Sequence, residues 1–518
     1  MTMGKRHITG ALALLGWCVL VFWSCRFEAG FPMNYHWDEM SKSAQVKEGW
    51  RNLFHPLFIL NTTEAWVDAT SDKSVETYTA ITQTGRALSA LWVALAVWCV
   101  AILAWRQGGW VAAFMVAVLS GLSLAALEAG HVFKEHSALL LGIAVALLGM
   151  DAYAEKRNNR RALWMGLAVG FALATKYGAV VVLPFWVWML LLRPDDGSNK
   201  TRNALLSVAG FVAAFVVVNF HPAWFSGGAH FGQAMQGEVS LLIHGHHGAG
   251  AAIPHRIFWE RWKLAVPAVC FWTAMIAPWV VAALACRAKE GRAVSLARAG
   301  LLFAALANTV AISFVAKLSH EYLWPSLFFM SLPIGVLAGC AVRLAGESFG
   351  VKYIAPATVA VVAGFAVLLQ GPLASWSALM KGFQMDARRD LVRYIEREVP
   401  PDALIAQDQF VGLYCEGDLF LIEVEKQVPN RVIGDYFLAD MGTVAELKAR
   451  GVRYVAINME QGCHYLEMKL ISPTSGEEFR RRQQFYQDLE REAELVWESK
   501  GGEPVQKRPW LRLYRMRE

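Results

Sequence analysis

Long apolar runs separated by short polar segments fill the chain as far as Leu369. A run of about 20 apolar residues is long enough to cross the roughly 30 Å of hydrocarbon in a bilayer as an α-helix. The pattern therefore predicts an α-helical polytopic membrane protein. Nine candidate spans lie near residues 8–25, 86–105, 110–127, 136–153, 203–220, 263–286, 298–316, 321–343 and 353–371.

One further apolar stretch, "MGLAVGFALATKYGAVVVLPFWVWMLLL", does not fit a single span. From Gly166 to Leu192 it has about 27 residues, which is long for one upright helix and short for two. If Lys5 and Arg6 keep the N-terminus inside, two short helices that reverse near "TKYG" place the basic loops on that same side. Lys176 then lies at a turn near the outer surface instead of in mid-membrane. The prediction is about eleven spans, and one tilted helix with a snorkelling lysine is the alternative.

The chain changes character after the last apolar run. Strand-like stretches ("ALIAQD", "RYVAIN", "ELVWES", "LRLYRM") alternate with helix-like ones, a pattern typical of a small α/β domain. The predicted topology places this domain outside the cell membrane, together with the first long loop. The predicted divisions are a transmembrane domain over 1–372, with outer loops 26–85 and 221–262, and a soluble extracytoplasmic α/β domain over 373–518.

Composition and charge agree with a membrane protein. The chain is 55% hydrophobic and 18% charged, whereas a soluble protein carries roughly a quarter charged residues. The formal net charge of +6 comes mostly from basic loops between apolar runs and gives no reason to expect a nucleic-acid partner. The first apolar run has no cleavage site and is predicted to be a retained helix. Cys415 and Cys463, in the polar C-terminal region, either pair or stay free.

Ionisable side chains gather on the predicted outer face, whereas the inner loops hold mostly Lys and Arg. This asymmetry indicates that the chemistry takes place at the outer leaflet. The outer residues are Asp38, Glu39 and His55 in the first loop, Lys134, Glu135 and His136 in the second, Lys176 at the short turn, His221 and "IHGHHG" in a later loop, and His320 and Glu321 between the ninth and tenth helices.

Each of these groups also has a plain structural explanation. Asp38 and Glu39 would suit the start of an amphipathic helix, because acids interact favourably with the N-terminal dipole. Lys134 and Glu135 would form an interfacial ion pair worth about 0–1 kcal/mol. The "IHGHHG" histidines either ligate a metal or lie in a flexible glycine tract. Residues 320–321 either cap the next helix or belong to a site.

Five short motifs come in a definite order: "HWDE" after the first helix, then "FHPLF", "FKEH" in the second outer loop, "LATKYG" at the short turn, and "SHEYLWPSLFF". In this order the chain resembles the GT-C superfamily of membrane glycosyltransferases, especially the bacterial protein O-mannosyltransferase-like and aminoarabinose transferase-like branch. The resemblance covers residues 1–370, by order and topology more than by identity. The family often has a second proline in the "FHPLF" motif, and its eukaryotic protein-mannosylating members carry repeat domains that this sequence lacks.

The resemblance implies an inverting transfer of a sugar from a polyprenyl-phosphate donor to an acceptor hydroxyl on a glycan, lipid or protein. The reaction would take place at the outer face of the cell (inner) membrane, with the N-terminus cytoplasmic and the C-terminal domain extracytoplasmic. A phosphate leaves as an anion, so the transfer needs mainly one base. Asp38 would be this base, and Glu39 would orient it.

The resemblance also implies binding groups for the donor. Positive charge and hydrogen-bond donors would hold its phosphate, and some members of the family use a divalent cation, Mg²⁺ or Mn²⁺. The candidates are Lys176, Lys134 and His320 for the phosphate, Asp38 and Glu135 for the cation, and His55, His221 and Glu321 for other contacts.

Three other classes of protein stay open. A multi-helix transporter would also carry charges among its helices, but no two halves of this chain match and the polar residues gather at one face. A flippase or polymerase of lipid-linked glycans would handle the same polyprenyl phosphates, and a non-catalytic scaffold would use its outer domain for binding. The early acidic pair, followed by a segment that docks on the membrane, favours the glycosyltransferase.

Overall fold

Helices dominate the part of the chain that the structure describes. The loop predicted over 221–262 lies almost wholly outside it, as do Cys415 and Cys463. A computed structural model describes residues 3–30, 37–52, 55–71, 76–191, 199–222, 236–237, 240, 268–287, 300–304, 306–309, 311, 320–350, 352, 354–408, 411–413, 428–459, 462, 465–466, 476–501 and 509–517.

The N-terminal part is built of apolar helices. Five helical stretches within the described ranges are long and apolar enough to cross a membrane, and four shorter ones are also apolar. This confirms a multi-pass α-helical protein, while the count of about eleven spans stays a prediction. The helices include α1 (Met3–Arg26), α2 (Trp37–Glu48), α3 (Phe58–Thr70), α4 (Tyr78–Gly121), α5 (Leu124–His131), α6 (Glu135–Glu155), α7 (Asn159–Thr175), α8 (Leu183–Leu191), α9 (Lys200–Asn219), α10 (Ala268–Arg287), α11 (Trp324–Phe329), α12 (Ser331–Phe349) and α13 (Ile354–Gly382).

Helix α4 is two membrane helices joined at a glycine. Its 44 residues would extend roughly 66 Å at 1.5 Å per residue, about twice the hydrocarbon thickness. At Gly109 the backbone leaves the helical region, with φ +77° and ψ −168°. Such a conformation is open to glycine and strained for other residues. The chain therefore turns within "WRQGG", where the sequence predicted a loop between two spans.

The long apolar stretch around Lys176 is also broken, as predicted. Helix α7 ends at Thr175, Lys176 is extended with φ −164° and ψ 139°, and a 3₁₀ helix follows over Tyr177–Val182 before α8 begins. The single tilted helix is therefore excluded. Helix α7 packs very closely on α9, because a Cβ atom at Gly170 would lie only 2.2 Å from the Phe211 carbonyl oxygen.

The C-terminal domain is a mixed five-stranded sheet with helices, and it confirms the predicted α/β class. The strand order is β2-β1-β3-β5-β4; β1 pairs with β2 and β3 in parallel, and β5 pairs antiparallel with β3 and β4. The strands are β1 (Leu404–Asp408), β2 (Val432–Asp435), β3 (Val452–Asn458), β4 (Ala493–Lys500) and β5 (Trp510–Met516), and the helices are α14 (Ala387–Glu398), α15 (Leu438–Met441), α16 (Val444–Ala449) and α17 (Gly476–Glu492).

The connection between the two parts is helical. Helix α13 continues past residue 372, where the sequence placed the domain boundary, and ends at Gly382. The next residue, Phe383, stacks on the buried ring of His131 at the end of α5, with ring centroids 3.7 Å apart. The residue that follows α13 is therefore packed against the membrane part, at the end of α5.

Candidate active site

Two neighbouring acids in the first turn of α2 have different surroundings. Side chains at adjacent helical positions point about 100° apart, so only one of the pair can face a given side. The Asp38 side chain keeps 35% of its surface exposed, whereas Glu39 is fully buried. Asp38 alone of the two is therefore accessible to a substrate.

Glu39 is held by a buried arginine. Its two carboxylate oxygens accept from Arg86 Nε at 2.9 Å and from Arg86 Nη2 at 2.7 Å, and Oε1 also accepts from the backbone N–H of Phe133 at 2.8 Å. Arg86 Nη1 donates in turn to the Ala29 carbonyl at 3.1 Å. The bidentate ion pair with Arg86 connects α2 to α4, and the Phe133 hydrogen bond connects α2 to the segment before α6. These contacts fix the position of Asp38, which precedes Glu39 in α2.

Lys134 bridges the carboxylates of two distant segments. Its Nζ lies 3.1 Å from Asp38 Oδ2 and donates to Glu321 Oε2 at 2.5 Å. Burial alone would lower the pKa of Lys134, but the Asp38 and Glu321 carboxylates outweigh it and hold the pKa above its usual value. The lysine is therefore a permanent cation beside Asp38.

Lys176 enters the same cluster from the break after α7. Its Nζ donates to His136 Nε2 at 2.9 Å, because an ammonium carries donors only. His136 is therefore a neutral imidazole with its proton on Nδ1, and Nδ1 lies 3.8 Å from Glu321 Oε2. The Tyr322 ring centroid is 5.8 Å from the Lys176 ammonium. A series of contacts therefore runs from Lys176 through His136 and Glu321 to Lys134.

Glu135 forms a buried ion pair with Lys42 of α2. It also lies within electrostatic range of His55 and Lys176. Lys42 lies four residues after Asp38 on the same helix and faces the same cluster. The sequence alone does not single out Lys42 or Arg86, because a lysine in a polar helix and an arginine at the start of an apolar run look ordinary.

The other predicted residues differ in their placement. His221 Nε2 lies 3.7 Å from Glu64, which accepts from Arg51 at 2.5 Å, in a separate group between α3 and the end of α9. The backbone of His320 begins the 3₁₀ helix before α11, while its side chain lies outside the described residues.

The predicted metal position, between Asp38 and Glu135, has positively charged neighbours in this arrangement. Asp38 contacts the Lys134 ammonium and Glu135 contacts that of Lys42, so both carboxylates already have positive partners. Within the described ranges, no group of three or more His, Cys, Asp or Glu side chains has the arrangement needed to hold a metal ion.

Apolar helices bring a carboxylate and several ammonium groups together, with an α/β domain after them, as the resemblance to the GT-C fold implies. A family model described as dolichyl-phosphate-mannose-protein mannosyltransferase matches residues 80–224. The AglB oligosaccharyltransferase of Archaeoglobus fulgidus superposes with a TM-score of 0.52 at 10% sequence identity, over 90% of this chain and 71% of that one. The resemblance to the GT-C membrane glycosyltransferases is thereby confirmed at the level of the fold.

Two further similarities concern bacterial proteins. The lipid A galacturonosyltransferase RgtD of Rhizobium johnstonii is 36% identical over 110 residues, which are 21% of this chain and 22% of that protein. The alignment therefore spans about a fifth of the length of this curated relative. ArnT from Cupriavidus metallidurans, in a structure with undecaprenyl phosphate, aligns over 97% of both chains at 14% identity, with a TM-score of 0.48.

Proposed function

We propose that this protein is an inverting glycosyltransferase that moves a sugar from a polyprenyl-phosphate donor to an acceptor hydroxyl at the outer face of the membrane. The observation that carries the proposal is the cluster of Asp38, Lys134 and Lys176, which come from three segments far apart in the chain. A lipid-linked donor is supported by the neighbour AglB, whose structure includes a dolichol-phosphate, and by the family description, which names dolichyl-phosphate-mannose.

In the proposed reaction Asp38 accepts the proton of the acceptor hydroxyl. The hydroxyl oxygen forms a bond to the anomeric carbon on the face opposite the phosphate, and the bond from that carbon to the phosphate oxygen breaks. The electron pair of the broken bond stays on the phosphate, which leaves as an anion without needing a proton. Attack from the opposite face inverts the anomeric centre. Asp38 suits this task because it is the exposed acid of the pair.

Lys176 and Lys134 would bind the donor phosphate. Lys176 donates to a neutral imidazole, and phosphate oxygens would offer it a charged acceptor. Lys134 already contacts Asp38 and lies where it would stabilise the negative charge that grows on the leaving phosphate. A divalent cation between Asp38 and Glu135 stays a prediction, and no step of the reaction depends on it.

The proposed site faces the outside of the cell (inner) membrane, with the N-terminus in the cytoplasm. The basic residues at the N-terminus and in the short loops support this orientation. The acceptor would be a glycan, a lipid headgroup or a protein that displays a hydroxyl group outside the membrane.

The test begins with deletion of the gene and comparison of lipid-linked sugars and surface glycans. We expect the deletion strain to accumulate a lipid-linked sugar and to lack one surface sugar, and the wild-type gene to restore it. Asp38→Asn should fail to restore the sugar although the protein still binds undecaprenyl phosphate. Full restoration by Asp38→Asn would remove this residue from the catalytic role and refute the mechanism.

The phosphate contact is tested by binding undecaprenyl phosphate to the purified full-length protein in nanodiscs. Lys176→Ala should weaken binding about tenfold or more, since it removes a hydrogen bond between charged groups. Lys381→Ala, which removes an exposed lysine at the end of α13, is the matched control and should bind as the wild type does. Equal binding by both variants would contradict the role of Lys176.

A further inference from the structure

A buried acid lies in α5, among the apolar helices that surround the active site. Glu128 is buried, and so are its neighbours along this helix, Leu127 and Ala129. A carboxyl group is costly to bury among membrane helices, and where one occurs it commonly has a defined partner and a role in a functional site. The proposed reaction does not use Glu128 directly, so its partner indicates what it does.

The partner of Glu128 is the indole of Trp324. Trp324 Nε1 donates to Glu128 Oε2 at 3.0 Å, across 196 positions of the chain. Trp324 is the first residue of α11, and its side chain is buried. An indole N–H can only donate a hydrogen bond, so this contact requires an acceptor at position 128. The hydrogen bond fixes the orientation of the indole ring.

Trp324 packs in turn on the histidine that holds Lys176. The ring centroids of Trp324 and His136 are 5.0 Å apart and the ring planes are inclined by 73°, the edge-to-face arrangement that aromatic rings favour. His136 Nε2 accepts from Lys176 Nζ at 2.9 Å. A series of direct contacts therefore runs from Glu128 through Trp324 and His136 to Lys176.

The hydrogen bond to His136 affects how Lys176 meets a phosphate. An ammonium carries three N–H donors, so Lys176 can keep its bond to His136 and still donate to phosphate oxygens. A lysine side chain has many rotamers, and ordering them opposes binding. A lysine that is already held in place loses less of this freedom when the phosphate arrives, so its support strengthens donor binding.

We propose that Glu128 is a positioning residue, which aligns Lys176 with the donor phosphate by way of Trp324 and His136. The inference rests on the function proposed above and adds to that site a residue that does not touch the donor. Without an acceptor at position 128, the buried indole N–H is left unpaired, which is unfavourable. Trp324 then turns towards another acceptor, and His136 loses the ring that supports it.

A first experiment measures binding of undecaprenyl phosphate to the full-length protein in nanodiscs. Glu128→Leu keeps a side chain of similar size without an acceptor and should weaken binding about fivefold, the effect of one hydrogen bond. Glu128→Gln keeps an amide oxygen that accepts from the indole, and its affinity should stay within about twofold of the wild type. Wild-type affinity in Glu128→Leu would overturn the inference.

The matched control is Asp151→Leu. Asp151 is another buried acid, and it accepts from Arg106 Nε at 2.5 Å at the opposite end of α6 from Glu135. Its loss should destabilise the protein, because it leaves Arg106 without a partner carboxylate, but the folded protein should bind undecaprenyl phosphate as the wild type does. If Asp151→Leu weakened binding as much as Glu128→Leu, affinity would follow general stability and the positioning role would be wrong.

A second experiment combines the variants in a double-mutant cycle. In a protein that already carries Lys176→Ala, Glu128→Leu should change the affinity by less than about twofold, since the side chain through which it acts is gone. A further fivefold loss would show that Glu128 acts independently of Lys176, which contradicts the inference.

Trp324→Phe tests the same contact from its other side, and does so even if Glu128→Leu folds poorly. This variant keeps an aromatic ring and removes the indole N–H, so it should weaken undecaprenyl phosphate binding about as much as Glu128→Leu does. Unchanged binding in Trp324→Phe would contradict the series of contacts.

The outcomes separate this inference from the proposed function. If Lys176→Ala binds weakly and Glu128→Leu binds normally, Glu128 has no positioning role and the glycosyltransferase stands. If Glu128→Gln is as weak as Glu128→Leu, the hydrogen bond to Trp324 is not what matters and the inference is again wrong. Normal binding by Lys176→Ala instead contradicts the phosphate contact of the proposed function, and the role of Glu128 falls with it.

Discussion

At the scale of single residues, burial separates two acids that the sequence could not tell apart. The "DE" pair predicted a site and an orienting partner, but the pattern gave no sign that Glu39 would meet an arginine. Arg86 lies at the start of an apolar run, where a basic residue usually marks the end of a membrane helix. Its pairing with Glu39 depends on the packing of α2 against α4, which no local pattern contains. The pairing of Lys42 with Glu135 likewise depends on contact between separate helices, α2 and α6.

The Glu39–Arg86 pair makes a prediction about stability. Glu39→Gln leaves the Arg86 guanidinium buried without its counter-charge, so the free energy of unfolding should fall by about 3–5 kcal/mol. Thermal unfolding of the purified protein in detergent measures the change. Glu398→Gln, which removes the acid of an exposed pair with Arg397, is the control and should cost about 0–1 kcal/mol.

The companion variant is the double substitution Glu39→Gln, Arg86→Met. Removal of both charges should recover part of the lost stability, since an apolar side chain of similar length replaces the uncompensated arginine. A double variant that is less stable than Glu39→Gln alone would show that the ion pair is not the source of the effect.

At the scale of elements, the sequence predicted where helices break but not what the breaks bring together. Charge bias located the interruption at "TKYG", and the structure confirms it between α7 and the 3₁₀ helix. The partner of Lys176, His136, lies in the first turn of α6, and its approach depends on how closely α6 and α7 pack. That closeness depends on glycines such as Gly142 in α6, where a Cβ atom would lie 2.9 Å from the Cα atom of Ala172 in α7. In the sequence such a glycine looks like any small residue in a membrane helix.

Gly170→Ala should disturb both stability and donor binding. The added Cβ would lie 2.2 Å from the Phe211 carbonyl oxygen, so α7 must move away from α9 at a cost of about 1–3 kcal/mol. Lys176 follows the end of α7 and should shift with it. Thermal unfolding and undecaprenyl phosphate binding measure the two effects.

Gly16→Ala is the matched control for this substitution. A Cβ atom at Gly16, in α1, would meet nothing within 4 Å, and alanine has the higher helix propensity. This variant should unfold at or above the wild-type temperature and bind undecaprenyl phosphate normally. Equal behaviour of the two glycine variants would show that the contact of α7 with α9 is not tight.

At the scale of the whole molecule, the sequence predicted two parts but not the contact between them. Four of the five strands matched predicted stretches, whereas β2 has only four residues, "VIGD", including a glycine, and was missed. The stacking of Phe383 on His131 joins positions far apart in the chain, which pattern reading along one segment does not detect.

The stability of the C-terminal domain should depend on pH through Asp408. Burial raises the pKa of Asp408 to about 7, despite hydrogen bonds from the Leu438 backbone, the Tyr486 hydroxyl and the Asn458 backbone. The folded domain therefore binds a proton that the unfolded chain has released between pH 4 and pH 7, and stability falls as pH rises through this window. The loss should be on the order of 2 kcal/mol between pH 5 and pH 8.

Hydrogen–deuterium exchange of β1 and β3 peptides in the full-length protein, corrected for intrinsic exchange at each pH, measures this dependence. The asparagine in Asp408→Asn cannot ionise, so the stability of this variant should depend much less on pH. Asp402→Asn, at an exposed acid before β1, should retain the wild-type slope. If Asp408→Asn kept the wild-type dependence of stability on pH, a group other than Asp408 would be responsible for it.

The continuity of α13 affects how this protein can be recombined with its relatives. A chimera joined at residue 372, where hydropathy drops, would cut through a helix that extends to Gly382. Phe383 still belongs with the membrane half, because its ring stacks on His131. A graft of a foreign outer domain should therefore be spliced after Phe383, in the short stretch before α14 begins at Ala387.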